Sequence, residues 1–212
     1  MILPMLEKIS KKLNTNDFLV DLHIHTNYSS CAQITLDETL NNLLGKVNAI
    51  TVTDHNYIHN YSQETIQAYY DKYQIEILVP SVEISTAQGD ILAYGISSPP
   101  KPYLDAHSVI DMIHSDNGIA IAAHPFDPLG VGDFIYDLDI DAIEINGSRP
   151  QVFNELAKKA ASIMELPLVG GSDSHVLPQV GTCVTKFKES INSIQDLIQQ
   201  IKKGQCSPIF LR

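Results

Sequence analysis

Residues 21–29, DLHIHTNYS, constrain the fold of this chain more than any other stretch of its sequence. The apolar residues 18–20 come directly before them and predict the first strand of a sheet, which runs out into a loop. Residues two apart on a strand point to the same side, so His23 and His25 project together from the carboxyl end of that strand. Two imidazoles placed in this way can bind one metal ion, and the alternative is a pair of hydrogen-bonded core histidines.

Similar strand ends recur along the chain. Further short apolar strands are predicted at residues 49–52, 75–79, 119–123, 142–145 and 167–170, each followed closely by polar residues. The strand ends present His23, His25, Asp54, His55, Glu83, His124, Glu144, Asp173 and His175. Five of the eight histidines fall in this set, and scattered core histidines would not select strand ends so consistently. The set therefore favours a metal centre.

The candidate ligands also indicate which metals are bound. Neutral imidazole combined with carboxylate is the ligand set of zinc, manganese and iron rather than of calcium. The nine candidates exceed what one ion can use, and a carboxylate such as Glu83 can bridge two ions. We therefore expect more than one divalent ion, an arrangement that can polarise a phosphoryl oxygen and activate water.

The alternation of short strands with helical segments predicts an α/β fold built around a parallel sheet of about seven strands. Polar residues follow nearly every strand, and the active sites of β/α barrels lie at the carboxyl ends of all strands. A closed barrel therefore explains the pattern better than an open doubly wound sheet. We expect one domain over residues 1–212, with a helical extension at 1–17, the barrel core at 18–187 and a C-terminal helix and tail at 188–212.

Composition limits the partners and the location of the protein. Lysine and arginine number 14 against 25 aspartates and glutamates, giving a formal net charge of -11, which argues against binding of duplex nucleic acid. No stretch approaches the roughly 20 apolar residues of a membrane span, and the start lacks the pattern of a signal peptide. The three cysteines form no CxxC pair and so indicate neither disulfides nor a thiolate zinc site. We expect a cytoplasmic protein without a membrane partner.

Five motifs occur in order along the chain: DLHIHTNYS, TDHN, VEIS with Glu83, AHPF and GGSDSH. Together they resemble the PHP (polymerase and histidinol phosphatase) family over residues 18–185. That family includes metal-dependent phosphoesterases, histidinol phosphatases and the PHP domains of bacterial replicative polymerases. The resemblance implies a distorted seven-stranded, TIM-like β/α barrel and a hydrolytic activity that depends on several metal ions.

The resemblance also implies how the ligands divide among two or three divalent ions of zinc, manganese or iron. A first metal would be held by His23, His25, Glu83 and Asp173, a second would be bridged by Glu83 and bound by His124, and a third would use His55 and His175. His25, Asp173 and His175 are expected to be catalytic. Asp54 is expected to serve catalysis by orienting its neighbours.

Two positions depart from the pattern of the family. Many members carry an acidic residue or a histidine soon after the first His-x-His, where this chain has Ser30 and Cys31. Many also have a histidine after the bridging glutamate, where this chain has Gly89 and Asp90. Asp90 can substitute for that ligand, or the ligand can be missing, so a two-metal centre and a weakly held third ion both stay open.

The sequence favours a metal-dependent phosphoesterase that acts on a small phosphomonoester or nucleotide, because the chain is short and acidic. Arg149 and Asn146 follow a predicted strand end and are candidates for substrate binding. A C–N hydrolase similar to the amidohydrolases is one alternative, although no lysine ends a mid-barrel strand to bridge the metals. A non-catalytic PHP-like structural or regulatory domain is the other, although such a domain is expected to lose metal ligands.

Overall fold

The computed structural model describes residues 17–211, so the helix predicted at residues 5–13 lies outside the described residues. Ten strands run through the described part of the chain: β1 (Phe18–Asp21), β2 (Ala49–Ile50), β3 (Glu76–Ile77), β4 (Ser81–Ser85), β5 (Asp90–Tyr94), β6 (Ile119–Ala122), β7 (Ala142–Asn146), β8 (Leu168–Gly171), β9 (Cys183–Phe187) and β10 (Cys206–Phe210). The α-helices of the same part are α1 (Leu36–Leu43), α2 (Gln63–Tyr73), α3 (Ala106–Ser115), α4 (Gln151–Met164) and α5 (Ile194–Lys202). Among residues 17–211, no helix is long and apolar enough to cross a membrane.

Helix α1 illustrates how local sequence determines an element. Thr35 Oγ1 accepts a hydrogen bond from Glu38 N at 3.2 Å, and Glu38 Oε2 accepts one from Thr35 N at 2.8 Å, which forms a capping box. Leu36, Leu40 and Leu43 recur at helical spacing and are buried, each stabilising the fold by about 1.5–3 kcal/mol. Helix α1 therefore anchors the end of the loop that follows β1.

The strands form two five-stranded sheets rather than one closed barrel. The first sheet has the order β10-β9-β1-β2-β3, and the second has the order β4-β5-β6-β7-β8. β1, β2 and β3 are parallel to one another, as are β6, β7 and β8, whereas β4, β5 and β6 alternate in direction. The predicted closed seven-stranded barrel is therefore wrong in detail, and the fold is a mixed α/β structure with two sheets.

The reason for this difference lies between β3 and β5. Only residues 78–80 separate β3 from β4, and Pro80 among them has no N–H to donate, so the ladder is interrupted there. The paired strands of the second sheet begin at β4. It forms an antiparallel hairpin with β5, in which Ser85 pairs with Asp90.

Strand β10 completes the edge of the first sheet. It pairs antiparallel with β9 along its whole length, where the sequence predicted only a tail. Pro208 interrupts the apolar pattern of this segment, so the sequence does not indicate a strand there. Proline is nevertheless tolerated in an edge strand, and β10 lies at the sheet edge.

Strand β1 lies in the middle of the first sheet and is buried on both faces. Val20 and Leu22 pack into one apolar cluster that contains Leu92. Leu19 and Ile24 pack into another cluster. Because both faces are packed, the backbone of β1 is held in place, and with it the backbone of the histidines that follow.

The two sheets meet at the ends of their strands. Gly170 N donates a hydrogen bond to Thr185 Oγ1 at 2.7 Å, which joins β8 to β9. An isolated parallel bridge pairs His55 with Glu83, so the segment after β2 lies against β4. The polar residues that end strands of both sheets are thereby brought to one place.

Candidate metal centre

Four side chains from three places in the fold converge on one point: His23 and His25 after β1, Glu83 within β4 and Asp173 after β8, which we call the inner position. The Nε2 atoms of the two histidines lie 3.0 Å apart. Glu83 Oε2 lies 3.0 Å from His25 Nε2 and 3.4 Å from His23 Nε2. Asp173 Oδ1 lies 3.4 Å and 3.5 Å from the same two nitrogens. One donor atom each from His23, His25 and Asp173 lies within 4.8 Å of the others, which makes these three a candidate metal group, and Glu83 Oε2 lies beside both histidine nitrogens.

The hydrogen bonding of the two carboxylates also supports a metal ion at the inner position. Glu83 Oε2 and Asp173 Oδ1 are buried and have no aligned hydrogen-bond donor. A buried carboxylate oxygen without a donor is costly, because it loses its hydration and gains nothing in return. Since both oxygens face the two histidine nitrogens, a cation among these four atoms satisfies them.

Glu144 orients the first histidine. Its Oε1 accepts a hydrogen bond from His23 Nδ1 at 2.8 Å, and its Oε2 accepts one from His124 N at 2.8 Å. With the proton on Nδ1, the Nε2 lone pair of His23 faces the inner position, which is the usual arrangement of a carboxylate behind a metal-binding histidine. Glu144 therefore positions a ligand, and it is not in any of the candidate ligand groups formed by residues 17–211.

Asn146 and Arg149, the predicted substrate-binding residues, both contact Asp173. Asn146 Nδ2 donates to Asp173 Oδ2 at 3.2 Å, and an Arg149 terminal nitrogen lies 2.8 Å from the same oxygen. The other oxygen, Oδ1, is left to face the inner position. The two residues therefore orient Asp173, and their predicted contact with substrate stays a prediction.

A second candidate group lies beside the inner position and contains His23, Glu83 and His124. His124 Nε2 lies 3.1 Å from Glu83 Oε1, the oxygen that does not face the inner position. Glu83 can thus bind on both sides, as the sequence predicted for a bridging ligand. Asp90 forms a further group with Glu83 and His55, and burial together with the charge of Glu83 raises the pKa of Asp90 to about 7.

A third group lies at the edge of the centre and contains His25, Cys31, His55 and His175, with one candidate donor atom from each within 4.8 Å of the others. We call Cys31, His55 and His175 the outer position. The sequence predicted both outer histidines but not Cys31, because the wide spacing of the three cysteines indicates no thiolate site. The available signal was the place of Cys31 in the chain, where many PHP proteins carry an acidic ligand.

The charges of the inner position favour a bound proton when no metal ion is present. Burial alone lowers the pKa of His25, but the neighbouring carboxylates of Asp173 and Glu83 outweigh burial and raise that pKa to about 9. Burial raises the pKa of Asp173, yet the charge of His23 outweighs burial and holds that pKa below its usual range. A proton on either imidazole Nε2 is shared with the other through the 3.0 Å hydrogen bond between them, and a bound cation must displace it.

The outer histidines differ from this pattern. Burial lowers the pKa of His55 and the pKa of His175, and the charge of His25 lowers both further. Both imidazoles are therefore neutral near pH 7 and ready to bind a metal ion. Burial raises the pKa of the Cys31 thiol, and the charges of Glu83 and Asp173 add to this shift.

Asp54 lies behind the loop that follows β1. Its Oδ1 accepts hydrogen bonds from Thr26 N at 2.8 Å and from the Ser29 hydroxyl at 2.6 Å. Its Oδ2 accepts from the Thr26 hydroxyl at 2.6 Å and contacts His59 Nε2 at 2.7 Å. Both oxygens are occupied by the protein, so Asp54 fixes the loop, and its predicted part in catalysis stays a prediction.

The fold and these donors define a two-sheet α/β protein with a candidate metal centre of histidines, carboxylates and one cysteine. The PHP_C family model, described as PHP-associated, matches residues 152–206. Uncharacterized protein MJ1587 of Methanocaldococcus jannaschii is 32% identical over 162 residues, which cover 69% of this chain and 92% of that protein. This chain belongs to the PHP family.

Solved structures share the fold at lower identity. PsfC from Pseudomonas syringae PB-5123 superposes with a TM-score of 0.72 at 19% identity, covering 93% of both chains. A two-domain protein from Bacteroides vulgatus, which contains a predicted PHP-like metal-dependent phosphoesterase, superposes with a TM-score of 0.71 at 17% identity. That match covers 92% of this chain and 65% of the other.

A further comparison corrects one expectation. The lesion-specific endonuclease EndoQ of Pyrococcus furiosus superposes with a TM-score of 0.67 at 16% identity, covering 91% of this chain and 57% of that chain. Endonuclease Q in complex with a 27-mer duplex carrying an abasic lesion at the active site also matches, with a TM-score of 0.66. The exclusion of duplex nucleic acid from net charge is therefore wrong. The net charge is a sum over all charged residues, whereas binding of a duplex depends on the residues at the contact surface.

Proposed function

We propose that the protein is a metal-dependent phosphoesterase with two or three divalent ions of zinc, manganese or iron. The observation that carries the proposal is the placement of Glu83, whose two oxygens face different histidines. Oε2 lies 3.0 Å from His25 Nε2, and Oε1 lies 3.1 Å from His124 Nε2. A carboxylate shared in this way lets two ions act on one phosphoryl group. The proposed ligands are His23, His25, His55, Glu83, His124, Asp173 and His175.

The bound ions supply Lewis acidity toward a phosphoryl oxygen and an activated water at neutral pH. Arg149 adds a fixed positive charge beside them: one terminal nitrogen contacts Asp173, and the buried Nε lies 3.7 Å from Asp127 Oδ2. The guanidinium is partly exposed, so its remaining N–H groups can bind a phosphate oxygen of the substrate. His175 donates from Nδ1 to Asp173 O at 3.0 Å, which leaves its Nε2 lone pair available. Asn146 and Asp54 hold neighbouring groups in place.

Two exposed tyrosines beside the centre support a nucleotide as the substrate. Tyr28 and Tyr57 are 68% and 49% exposed, and their rings stack at 5.5 Å between centroids with 17° between planes. They follow the candidate ligands His25 and His55 by three and two residues. A stacked aromatic pair offers its free face to a nucleobase. We therefore propose a phosphoester that carries a base, in preference to a bare sugar phosphate.

The first experiment measures phosphate release from 5′-mononucleotides and ribose 5-phosphate, and strand cleavage of a duplex with an abasic site. Each is measured with the chelator-treated protein before and after manganese or zinc is added. We expect metal-dependent release with kcat/KM highest on a nucleotide. No release from any phosphoester by the metal-loaded protein contradicts the proposal, and cleavage of a cyclic amide by the same preparation favours the C–N hydrolase.

The second experiment tests the tyrosine pair. Tyr28→Ala and Tyr57→Ala each remove stacking worth about 1–3 kcal/mol per base, so KM for a nucleotide should rise about 5- to 100-fold. KM for ribose 5-phosphate should not change. Tyr103→Ala is the matched control, because Tyr103 is an exposed tyrosine outside the candidate ligand groups. Equal changes on both substrates contradict base stacking and leave the phosphoesterase proposal standing.

A further inference from the structure

Cys31 lies with three histidines at the edge of the metal centre. One candidate donor atom each from His25, Cys31, His55 and His175 falls within 4.8 Å of the others. The thiol is free of any disulfide and belongs to an exposed residue. The remaining two cysteines, Cys183 and Cys206, are in none of the candidate ligand groups found among residues 17–211.

The loop that carries Cys31 is tied to both outer histidines. His55 N donates a hydrogen bond to the Ser29 hydroxyl at 2.9 Å. Gln33 N donates to His175 O at 3.0 Å. Between these two points the loop is tightened by a bond from Ala32 N to Ser29 O at 3.1 Å. The sulfur is therefore held beside the two imidazoles from both sides.

Buried groups next to the loop indicate that a cation belongs there. Glu83 is 1% exposed, and its Oε2 lacks an aligned hydrogen-bond donor while lying 3.3 Å from His55 Nδ1. His55 Nδ1 is itself buried without a partner. His175 donates from Nδ1 to a backbone carbonyl, so its Nε2 presents a lone pair. His55 Nδ1 is therefore a buried donor without a counterpart among the described residues, and Glu83 places a buried negative charge beside it.

We propose that Cys31 binds a divalent metal ion as a thiolate, together with His55 and His175, and makes the outer position select zinc over manganese. The thiol proton passes to solvent when the sulfur binds the ion. Thiolate is a soft ligand that suits zinc, whereas manganese prefers carboxylate and other oxygen donors. Three protein ligands also leave one tetrahedral position open, as in catalytic zinc sites. The inference rests on the proposed metal centre but not on its substrate.

The experiment uses cobalt as a probe, because thiolate bound to cobalt gives a near-ultraviolet charge-transfer band. The metal-free full chain is titrated with cobalt as wild type, Cys31→Ser, Cys31→Asp and the matched control Cys206→Ser. We expect the band in wild type and Cys206→Ser and its absence in both Cys31 variants. Circular dichroism of each variant checks that the fold is intact.

A second measurement tests metal selectivity. Metal-free protein is dialysed against equal concentrations of zinc and manganese, and bound metals are counted by elemental analysis. Cys31→Ser should hold one zinc fewer than wild type, with outer zinc affinity lower by at least about 10- to 100-fold. Cys31→Asp should hold manganese in place of that zinc.

The outcomes separate this inference from the proposed function. Cobalt binding by wild type without the band, or the same band in Cys31→Ser, overturns the role of Cys31 and leaves the metal centre standing. Failure of the wild-type protein to bind cobalt or zinc at all overturns both. The band in wild type combined with no phosphate release from any substrate supports Cys31 and contradicts only the phosphoesterase.

Discussion

The inner and outer positions lie side by side but are built differently. His23, His25, Glu83 and Asp173 are at most 1% exposed, whereas the side chains of His55 and His175 are 29% and 22% exposed. Glu144, Asn146 and Arg149 stand behind the inner ligands. The outer ligands are held mainly by backbone contacts of the loop that carries Cys31.

This difference indicates a division of labour. Buried ligands with fixed partners hold a metal ion at little cost in ordering, because their geometry exists before the ion arrives. Ligands at the edge leave room for water and for a phosphate group. We therefore expect the inner ion to be a permanent part of the protein and the outer ion to exchange and to meet the substrate.

The largest effect is expected from the inner carboxylate. Asp173→Asn keeps the shape of the side chain but removes the anionic donor, so phosphoester hydrolysis should fall roughly 1,000-fold, given that a bound metal is worth several kcal/mol. Asp133→Asn, at an exposed aspartate, is the matched control and should keep wild-type activity. Steady-state kinetics with saturating metal measure both, and full activity of Asp173→Asn would show that the inner position is not required.

The next effect concerns the residue behind His23. Glu144→Gln loses the negative charge that faces His23 Nδ1, so inner metal affinity should fall by about 10- to 100-fold while outer affinity is unchanged. Calorimetric titration measures both affinities, with Glu155→Gln as the control on an exposed glutamate. A loss of metal affinity confined to the outer position would contradict the assignment of Glu144 to the inner position.

Proton release should also distinguish the two positions. The pKa of His25 is raised to about 9, so below that pH its proton must leave before a metal binds. The pKa of His23 is raised as well, so inner affinity should rise by about tenfold per pH unit for each imidazole proton displaced, at least up to about pH 9. The outer histidines have lowered pKa values and release no proton near pH 7.5, so outer binding should release only the proton of the Cys31 thiol.

This prediction is checked by titrating metal in two buffers of different ionisation enthalpy. Cys31→Ser should abolish proton release at the outer position and leave inner release unchanged. Inner affinity that does not depend on pH between 6 and about 9 would contradict the shared proton of His23 and His25.

The smallest effect is expected from the loop. Ser29→Ala removes the hydroxyl that accepts from His55 N and donates to Asp54, contacts worth about 1 kcal/mol each. Outer metal affinity should fall about fivefold, and inner affinity should fall less, because Ser29 Oγ also lies 3.3 Å from His25 Nδ1. Ser115→Ala, on an exposed residue of α3, is the control. Equal losses at both positions would mean that the loop supports the whole centre.

Much of the site could be predicted from local pattern. The alternation of a strand places His23 and His25 on one side, and the later strand ends bring histidines and carboxylates of the right chemistry. The order of the motifs identified the family, which the comparisons confirmed. The capping box of Thr35 and Glu38 likewise lies within four consecutive residues and is readable from the sequence.

The sequence alone thus determined which residue types stand at which strand ends, because that depends on neighbours in the chain. Only the tertiary structure decided that two sheets form, that Glu144 lies behind His23, and that Cys31 joins His55 and His175. These contacts join residues that lie far apart in sequence, and their geometry depends on how β4 and β8 pack against β1. The separation of two residues along the chain does not determine their distance in space, because that distance depends on how the strands and helices pack.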